Sequence, residues 1–448
     1  MIIDFGREVC GRIGVASNRE WLVTNGIGGY AMGTIAGMLT RRYHGLLVAA
    51  LNPPLGRTLM LTKLGETVYY NGQYYDLHTD RWYGDVDDDD DDDDVPTAPS
   101  MGVDEPLGLY HIERFRLEGT VPHWTFACAD AVLEKRIWMK QGENTTYIQY
   151  TLVRASQPFT LYPKAMVNYR DYHKTMIAAD LDTFIEDVEN GLRVFVSPHA
   201  HPLHLLSDRA NVYQQNEWHE DYFLTREEYR GQPDVVEDHL HVADFEVTLM
   251  PGESVTFVAS TLPNPSLDGD AEYALQLAHD QGLIERVEAI HGEIDPQMQQ
   301  LVVAAGQFIV ERPISDDEVG HSVIAGYPWF SDWGRDTMIS IPGLTMCSGR
   351  PEIALSILRT YAKYVIKGCC RTAFPMKGKH QNTTRPMPVC GISKRFVPIS
   401  KGHKTTNFYA KSSPCCKTLS IGMKKGPVMG SKWIAKMGCS MRVKLGFS

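Results

Sequence analysis

The periodicity of the apolar residues changes once along the chain, and this change limits the possible folds. From residue 1 to about 262, short runs rich in Val, Ile, Tyr, Phe and Thr alternate with turn residues at hairpin spacing. From Ala271 onward, apolar residues recur every three or four positions, as they do on one face of a helix. The sequence therefore predicts a large antiparallel β-sandwich followed by α-helices.

Three segments of the β-region place turn residues between two strand-like runs. Asn71-Gly72 is the dipeptide that best tolerates positive φ at both turn positions. Glu189-Asn190-Gly191 and the segment 250–254, Met-Pro-Gly-Glu-Ser, have similar turn composition. We expect a hairpin at each of the three.

The helical region has clear start signals. Asp295 is a good N-cap, and Pro296 suits the first helical position, where its missing N–H costs nothing. Further helices are predicted from about Arg335 and from Pro351. Two apolar stripes follow from the spacing: Met298, Leu301, Val302, Ala305, Phe308 and Ile309 in the first helix, and Ala354, Ile357, Leu358, Tyr361 and Val365 in the last.

The composition favours a soluble globular protein over a membrane or nucleic-acid-binding protein. The net charge is −11, so the chain repels nucleic acid, and it has no apolar run long enough to span a membrane. The N-terminus lacks the pattern of a signal peptide, which predicts a cytoplasmic protein. The eight aspartates at 87–94 repel one another and predict a solvated loop.

No motif indicates a metal or cofactor. The glycines of Gly26-Ile27-Gly28-Gly29 lack the strand–glycine–helix context of a nucleotide site, so we expect a tight turn in which backbone approaches backbone. His199, His201 and His204 match no zinc spacing, and we expect them to be structural or solvated. The sequence predicts no metal site and no cofactor.

The segment 325–337, Ala-Gly-Tyr-Pro-Trp-Phe-Ser-Asp-Trp-Gly-Arg-Asp-Thr, has the composition of a sugar site. Aromatic rings stack on the C–H faces of a sugar, while its hydroxyls need paired donors and acceptors. Arg335 and Asp336 together could bind a diol. The alternative is an aromatic core plug with a capping ion pair, but three charges beside glycine and proline favour a ligand site.

Two segments resemble the bacterial and archaeal glycogen-debranching, or amylo-α-1,6-glucosidase, family, which is similar to glucoamylases. The first runs from Glu20-Trp21-Leu22-Val23-Thr24-Asn25-Gly26 to Thr40-Arg41-Arg42-Tyr43-His44-Gly45. The second is the segment 326–337, and His111-Ile112-Glu113-Arg114-Phe115 is a weaker third. The resemblance covers residues 1 to about 365. It implies an N-terminal antiparallel β-supersandwich and the truncated start of an α/α six-hairpin toroid.

This resemblance sets the expected domains, substrate and site. The domains are 1–263, the sandwich; 264–294, a helical linker; 295–365, the first toroid helices; and 366–448, an unstructured tail. The expected partner is glycogen or another branched α-glucan, hydrolysed at α-1,6 branches with inversion. In glucoamylase-like enzymes a Trp-x-Arg-Asp segment holds the non-reducing glucose, and Trp333, Arg335 and Asp336 match it. With Trp329 and Asp332 they form the predicted substrate-binding set, and no catalytic residue is assigned.

The composition changes sharply after the last matching residues. Of the 44 Lys and Arg, 19 follow Glu352, whereas none of the 55 Asp and Glu does. A different reading frame would combine the last base of each codon with the first two bases of the next. In that frame, the amino-acid sequence after Val365 becomes more acidic and more typical of a globular protein. We therefore expect a frameshift near Val365 and a truncated, inactive hydrolase. The alternative is a non-catalytic α-glucan-binding module; a basic nucleic-acid-binding tail rests on the suspect stretch alone.

Overall fold

The computed structural model describes residues 3–84, 103–178, 181–315 and 318–363, together with short strands between 365 and 444. The aspartate run at 87–94 lies outside the described residues. Contacts divide the chain into two units, Met1–Glu311 and Arg312–Ser448. The first unit thus includes the helices that the sequence assigns to a linker and to the start of a second domain.

The first unit consists mainly of β-strands. In chain order they are β1 (Asp4–Phe5), β2 (Glu20–Thr24), β3 (Tyr30–Thr34), β4 (Gly45–Asn52), β5 (Leu55–Tyr70), β6 (Gln73–Asp76), β7 (Thr79–Trp82), β8 (Val103–Leu107), β9 (Ile112–Glu118), β10 (Val121–Cys128), β11 (Ala131–Met139), β12 (Thr145–Arg154), β13 (Phe159–Asp171), β14 (Phe184–Val188), β15 (Gly191–Phe195), β16 (Leu203–Ser207), β17 (Asn211–Phe223), β18 (Val236–Leu249) and β19 (Ser254–Ser260).

These strands form two antiparallel sheets. The order in one is β1-β9-β10-β11-β12-β19-β16-β15-β14; in the other it is β2-β3-β4-β5-β13-β18-β17-β7-β8, with β6 paired to β5. Their inner faces share one apolar core, to which Leu47 and Leu61 contribute from the second sheet and Ile148 and Phe257 from the first. Because both sheets bury a face in the same core, the predicted antiparallel sandwich is confirmed.

Two of the three predicted hairpins are confirmed. β5 and β6 pair around Asn71 and Gly72, whose φ angles are 51° and 80°, as a type I′ turn requires. β14 and β15 pair around Asn190, with a φ of 65°. The hairpin predicted at 250–254 is wrong, because β18 lies in one sheet and β19 in the other. That turn crosses from one sheet to the other. Local composition does not distinguish such a crossing from a hairpin within one sheet.

Among the described residues of the first unit there are five α-helices: α1 (Arg7–Cys10), α2 (Ile13–Ala16), α3 (Thr225–Tyr229), α4 (Gly269–His291) and α5 (Pro296–Gly306). The Asp295 side chain caps α5, accepting hydrogen bonds of 2.9 Å from the backbone N–H groups of Gln297 and Met298.

The apolar stripe predicted for α5 is partly wrong. Met298 and Leu301 are exposed, whereas Val302 and Val303 are buried. The helix ends at Gly306, so Phe308 and Ile309 do not belong to it. The apolar spacing therefore predicts the helix correctly. Which face of α5 is buried is decided by the elements that pack against it.

The second unit begins with a two-stranded sheet and continues in helices. The strands are β20 (Ile309–Ser315), which starts just before the division, and β21 (Glu318–Val323). The helices are α6 (Gly334–Ile341) and α7 (Pro351–Lys363), joined through a π-helical turn at Pro342–Met346. Both helices start where the sequence predicts, and α7 buries Ala354, Ile357 and Tyr361 of its predicted stripe. The order of sheets followed by helices is as predicted.

Short strands follow in the basic stretch. They are β22 (Val365–Ile366), β23 (Cys369–Cys370), β24 (Phe396–Pro398), β25 (Asn407–Ala410), β26 (Leu419–Lys424), β27 (Lys432–Met437) and β28 (Met441–Lys444). β24 to β28 pair antiparallel in chain order. The structure therefore has strand pairing in a stretch for which the sequence predicts no fixed fold. Among the helices described, none is both long and apolar enough to cross a membrane.

The glycine-rich turn at 26–29 is a packing element. Gly26 and Gly28 have φ angles of 71° and 97°. A Cβ added to Gly28 would lie 2.5 Å from the backbone oxygen of Pro54, and one added to Gly29 would lie 2.5 Å from Nδ2 of Asn25. This close approach of backbone agrees with the expected tight turn.

We predict that Gly28→Ala destabilises the first unit more than Gly72→Ala does. Gly72 also has positive φ, but an added Cβ there meets no atom within 4 Å, so the strain should cost about 1–2 kcal/mol. At Gly28 the clash with Pro54 adds to that strain, and we expect at least about 1 kcal/mol more. Urea unfolding followed by circular dichroism measures both, and equal losses would show that the turn can shift.

Candidate functional site

The segment predicted to bind sugar forms a closed loop directly before α6. Ile324 and Asp332 pair as an isolated antiparallel bridge. Inside the loop, the backbone N–H of Ala325 donates to the Ser331 oxygen at 3.0 Å, and that of Phe330 donates to the Gly326 oxygen at 2.8 Å. The loop is therefore held by its own backbone, and its aromatic residues project from a fixed frame.

Asp332 lies inside the second unit. Its side chain is 1 % exposed, and Oδ2 accepts a hydrogen bond of 2.6 Å from Nη1 of Arg312 on β20. The sequence predicts Asp332 as a sugar ligand, but the structure commits its carboxylate to this buried ion pair. We therefore reassign Asp332 as a positioning residue that ties the base of the loop to the hairpin.

The first turn of α6 presents the exposed members of the predicted set. The Trp333 residue is 39 % exposed and is the N-cap of the helix. The side chains of Arg335 and Asp336 are 68 % and 42 % exposed, with 3.9 Å between Nη2 and Oδ1. A pair this exposed contributes little to stability, so both groups are available to a ligand. Trp329 is half-buried at the side of the loop.

One face of α6 is anchored in the interior. Thr337 is fully buried, and its hydroxyl lies 2.9 Å from that of Tyr361 on α7. The Tyr361 hydroxyl also lies 3.4 Å from the Ser322 hydroxyl on β21. Burial raises the pKa of Tyr361, so the phenol stays protonated and can serve as a donor. This cluster fixes the face of α6 that is turned away from Arg335.

The other motif, at Glu20 and 40–45, forms part of the framework of the first unit. Nε2 of His44 lies 3.0 Å from Oε1 of Glu20, and Arg41 makes an ion pair with the same carboxylate. Burial by itself raises the pKa of Glu20, but the bonds from His44 and Arg41 outweigh it and lower the pKa to about 2. Glu20 is thus a carboxylate at all physiological pH values, which suits an ion-pair anchor and not a general acid.

Arg42 acts in the same way. It is buried and donates to the backbone oxygens of His173, Pro233 and Asp234. Three carbonyls from distant loops are thereby satisfied by one guanidinium. The role of this motif in the described structure is to join segments of the first unit.

The three histidines considered as a metal motif do not come together. His204 is buried within β16, whereas His199 and His201 are exposed before that strand. They form no group of three ligands with other residues in the described part of the chain. This placement agrees with the expected structural or solvated roles.

Comparison with family models identifies the chain. The model described as "Glycogen debranching enzyme N terminal" matches residues 19–256, which is more than half of the chain. The chain belongs to the glycogen debranching enzyme family. A second model of this glycoside hydrolase family, described as "Amylo-alpha-1,6-glucosidase", matches residues 303–387. This match includes the loop and α6, and it extends beyond Val365, where the sequence resemblance was expected to end.

Solved structures add little to this assignment. A protein assigned as a kojibiose phosphorylase, from the human microbiome, matches with 9 % identity and a TM-score of 0.27. The match covers 69 % of this debranching-family chain and 39 % of the other, so the chain spans less than half of that protein. No curated protein matches the chain.

We predict that Asp332→Asn lowers stability far more than Asp336→Asn does. Asp332→Asn removes one partner of a buried ion pair, leaving Arg312 buried without its countercharge, and should cost about 3–5 kcal/mol. Asp336→Asn changes an exposed group and should stay within about 0.5 kcal/mol of the wild type. Thermal and urea unfolding of both variants provides the test. A tolerated Asp332→Asn would remove the anchoring role assigned here.

Proposed function

We propose that the loop and the first turn of α6 form the glucose-binding part of an α-1,6-glucosidase acting on glycogen or branched α-glucan. The observation that carries this proposal is the exposure of Trp333, Arg335 and Asp336 within the first turn of one helix. This turn lies within the segment that matches the amylo-α-1,6-glucosidase model. The charges that the fold itself needs, Arg312 and Asp332, are buried behind it.

The chemistry of the three exposed side chains suits a terminal glucose. An indole such as Trp333 covers the C–H face of a pyranose, and the guanidinium of Arg335 supplies several donors to hydroxyl groups. The carboxylate of Asp336 accepts hydrogen bonds from neighbouring hydroxyls. Trp329, half-buried beside them, would contact the sugar at its edge. Each group binds substrate and none is proposed to act as acid or base.

Hydrolysis with inversion needs two further carboxyl groups. One protonates the leaving oxygen and the other activates water, at a separation of roughly 6.5–9.5 Å. Asp332 is engaged with Arg312, Asp336 is assigned to the sugar, and no Asp or Glu follows Glu352. We therefore propose that this chain of 448 residues does not cleave the bond, that its sequence after about Val365 is read in a shifted frame, and that the correct frame supplies both groups within an α/α toroid.

A non-catalytic glucan-binding module is the second candidate. It is favoured by the same observation, since the sugar-binding residues are present without an assigned acid and base. The two candidates differ in what the corrected frame restores: a hydrolase regains glucose release, whereas a binding module gains none.

We predict that Trp333→Ala and Asp336→Ala weaken binding of maltooligosaccharides without unfolding the protein. At Asp336, losing one charged hydrogen bond costs about 1.5–3 kcal/mol, which is roughly a tenfold to hundredfold loss of affinity. At Trp333, the loss is that of the ring that covers the C–H face of the sugar. Ile339→Ala is the matched control, because Ile339 is 67 % exposed on the same helix but lies beyond its first turn. Isothermal titration with maltotetraose measures all three, and wild-type affinity in both test variants would refute the sugar site.

We predict that the chain as it stands releases no glucose from a branched limit dextrin, while a frame-corrected protein does. The reason is chemical, since cleavage needs an acid and a base on opposite sides of the sugar. Both proteins are assayed for glucose release after expression from genes that differ by the single correction near the Val365 codon. Equal release by the two would contradict the frameshift, and no release by either would favour the binding module.

A further inference from the structure

A second cluster of chemistry-bearing side chains lies in the first unit, on the paired strands β17 and β18. Glu217 and His219 stand two positions apart on β17, so both side chains share one face of the sheet. His241 on β18 is the register partner of Glu217. One ligand atom of each residue lies within 4.8 Å of the other two. Two imidazoles and one carboxylate thus converge at one place.

The strand pairing around this cluster is irregular on both sides. The register of β17 against β18 shifts between Gln214 and Glu217, and again between His219 and Tyr222. Such bulges bend a strand and redirect its side chains, and they are frequent beside functional sites. The short segment from Glu217 to His219 therefore keeps regular pairing between two bulges, which places Glu217 directly opposite His241 and His219 two positions along the same face.

His241 has a hydrogen-bonding pattern typical of a metal ligand. Its residue is 3 % exposed, and Nε2 lies 3.0 Å from Oδ1 of Asp244 and 3.2 Å from the backbone oxygen of Ala243. These acceptors require the proton on Nε2, which leaves the Nδ1 lone pair available. Nδ1 is buried and makes no hydrogen bond within the described structure. A buried acceptor without a partner costs about 1–3 kcal/mol, which a bound cation would offset.

The hydrogen-bond partner of His241 is also held in place. Asp244 accepts a hydrogen bond of 2.7 Å from Nε2 of Gln215, so the carboxylate that orients His241 is itself held. A carboxylate–histidine–metal chain of this kind fixes the tautomer and the orientation of the ligand ring.

We propose that Glu217, His219 and His241 bind a divalent transition-metal ion, with zinc as the preferred class. Two histidines and a glutamate are an established zinc donor set, and three protein ligands leave a fourth position to solvent. In a tetrahedral site the ligand atoms are about 3.3 Å apart, so the present spacing, within 4.8 Å, must contract by at most about 1.5 Å. Glu217 is exposed and can move to make this contraction.

The test is zinc titration of the full chain by isothermal calorimetry after treatment with a chelator. Nine cysteines could compete for zinc, so the accessible thiols are first capped with iodoacetamide. We expect one zinc ion per chain, bound tenfold or more weakly by Glu217→Gln and by His219→Asn. Asp244→Asn should weaken binding by roughly 10–100-fold through His241. His199→Ala is the matched control, because His199 is an exposed histidine outside the cluster.

X-ray absorption at the zinc edge then identifies the ligands. The proposal requires nitrogen and oxygen neighbours, with two imidazoles and no sulfur. Zinc should also raise the melting temperature of the wild type, by mass action, but not that of Glu217→Gln. Glu217 is exposed and His219 is half-buried, so the variants Glu217→Gln and His219→Asn should fold. Unchanged affinity in Glu217→Gln and His219→Asn, sulfur ligation, or no binding would each overturn the proposal.

Discussion

The buried ion pair between Arg312 and Asp332 is the constraint on which the candidate sugar site depends. Both side chains are almost fully removed from solvent, so each is stable there only while the other is present. The pair fixes the end of the loop that begins at Ile324, and α6 starts two residues later at Gly334. The positions of the exposed Trp333, Arg335 and Asp336 thus depend on a buried ion pair that a sugar does not contact. Preorganisation of this kind keeps the entropy of ordering the site out of the binding step.

The first unit uses charge in the same way but for another purpose. Arg42 satisfies carbonyls from three residues in distant loops, and Arg170 forms a buried pair with Glu237 between β13 and β18. Some backbone carbonyls in a sandwich of long strands have no partner in a neighbouring strand. Buried guanidinium groups donate the hydrogen bonds that water would otherwise supply to them. The charged residues of the motif from Thr40 to Gly45 are therefore explained by structural contacts. Near Trp333, by contrast, Arg335 and Asp336 are exposed and are not needed to hold the fold. Their exposure is the physical basis for proposing a function at the second motif and not at the first.

Membership of the glycogen debranching enzyme family and the composition after Glu352 point in different directions. The family is one of glycoside hydrolases, yet inverting hydrolysis needs two carboxyl groups, and the stretch that should supply them has none. The family match that continues to residue 387 shows that family-like sequence does not stop abruptly at Val365. The shifted frame that we propose would account for the loss of acids in this stretch. The proposed metal site lies in the first unit, on β17 and β18, so its loss and the loss of sugar binding can be separated experimentally.

The sequence by itself determined the change from strands to helices, the Asn71-Gly72 hairpin and the capped start of α5, because each depends on neighbouring residues. It also indicated the segment that we propose binds sugar. The tertiary structure alone decided which charges of that segment are buried: Asp332 and Asp336 are four positions apart, and the guanidinium that separates their roles comes from Arg312, on another strand. It likewise decided that the turn after Leu249 crosses between sheets, and that His241 lies opposite Glu217. These facts depend on pairing between distant segments, and a local pattern contains no information about which segment will be its partner.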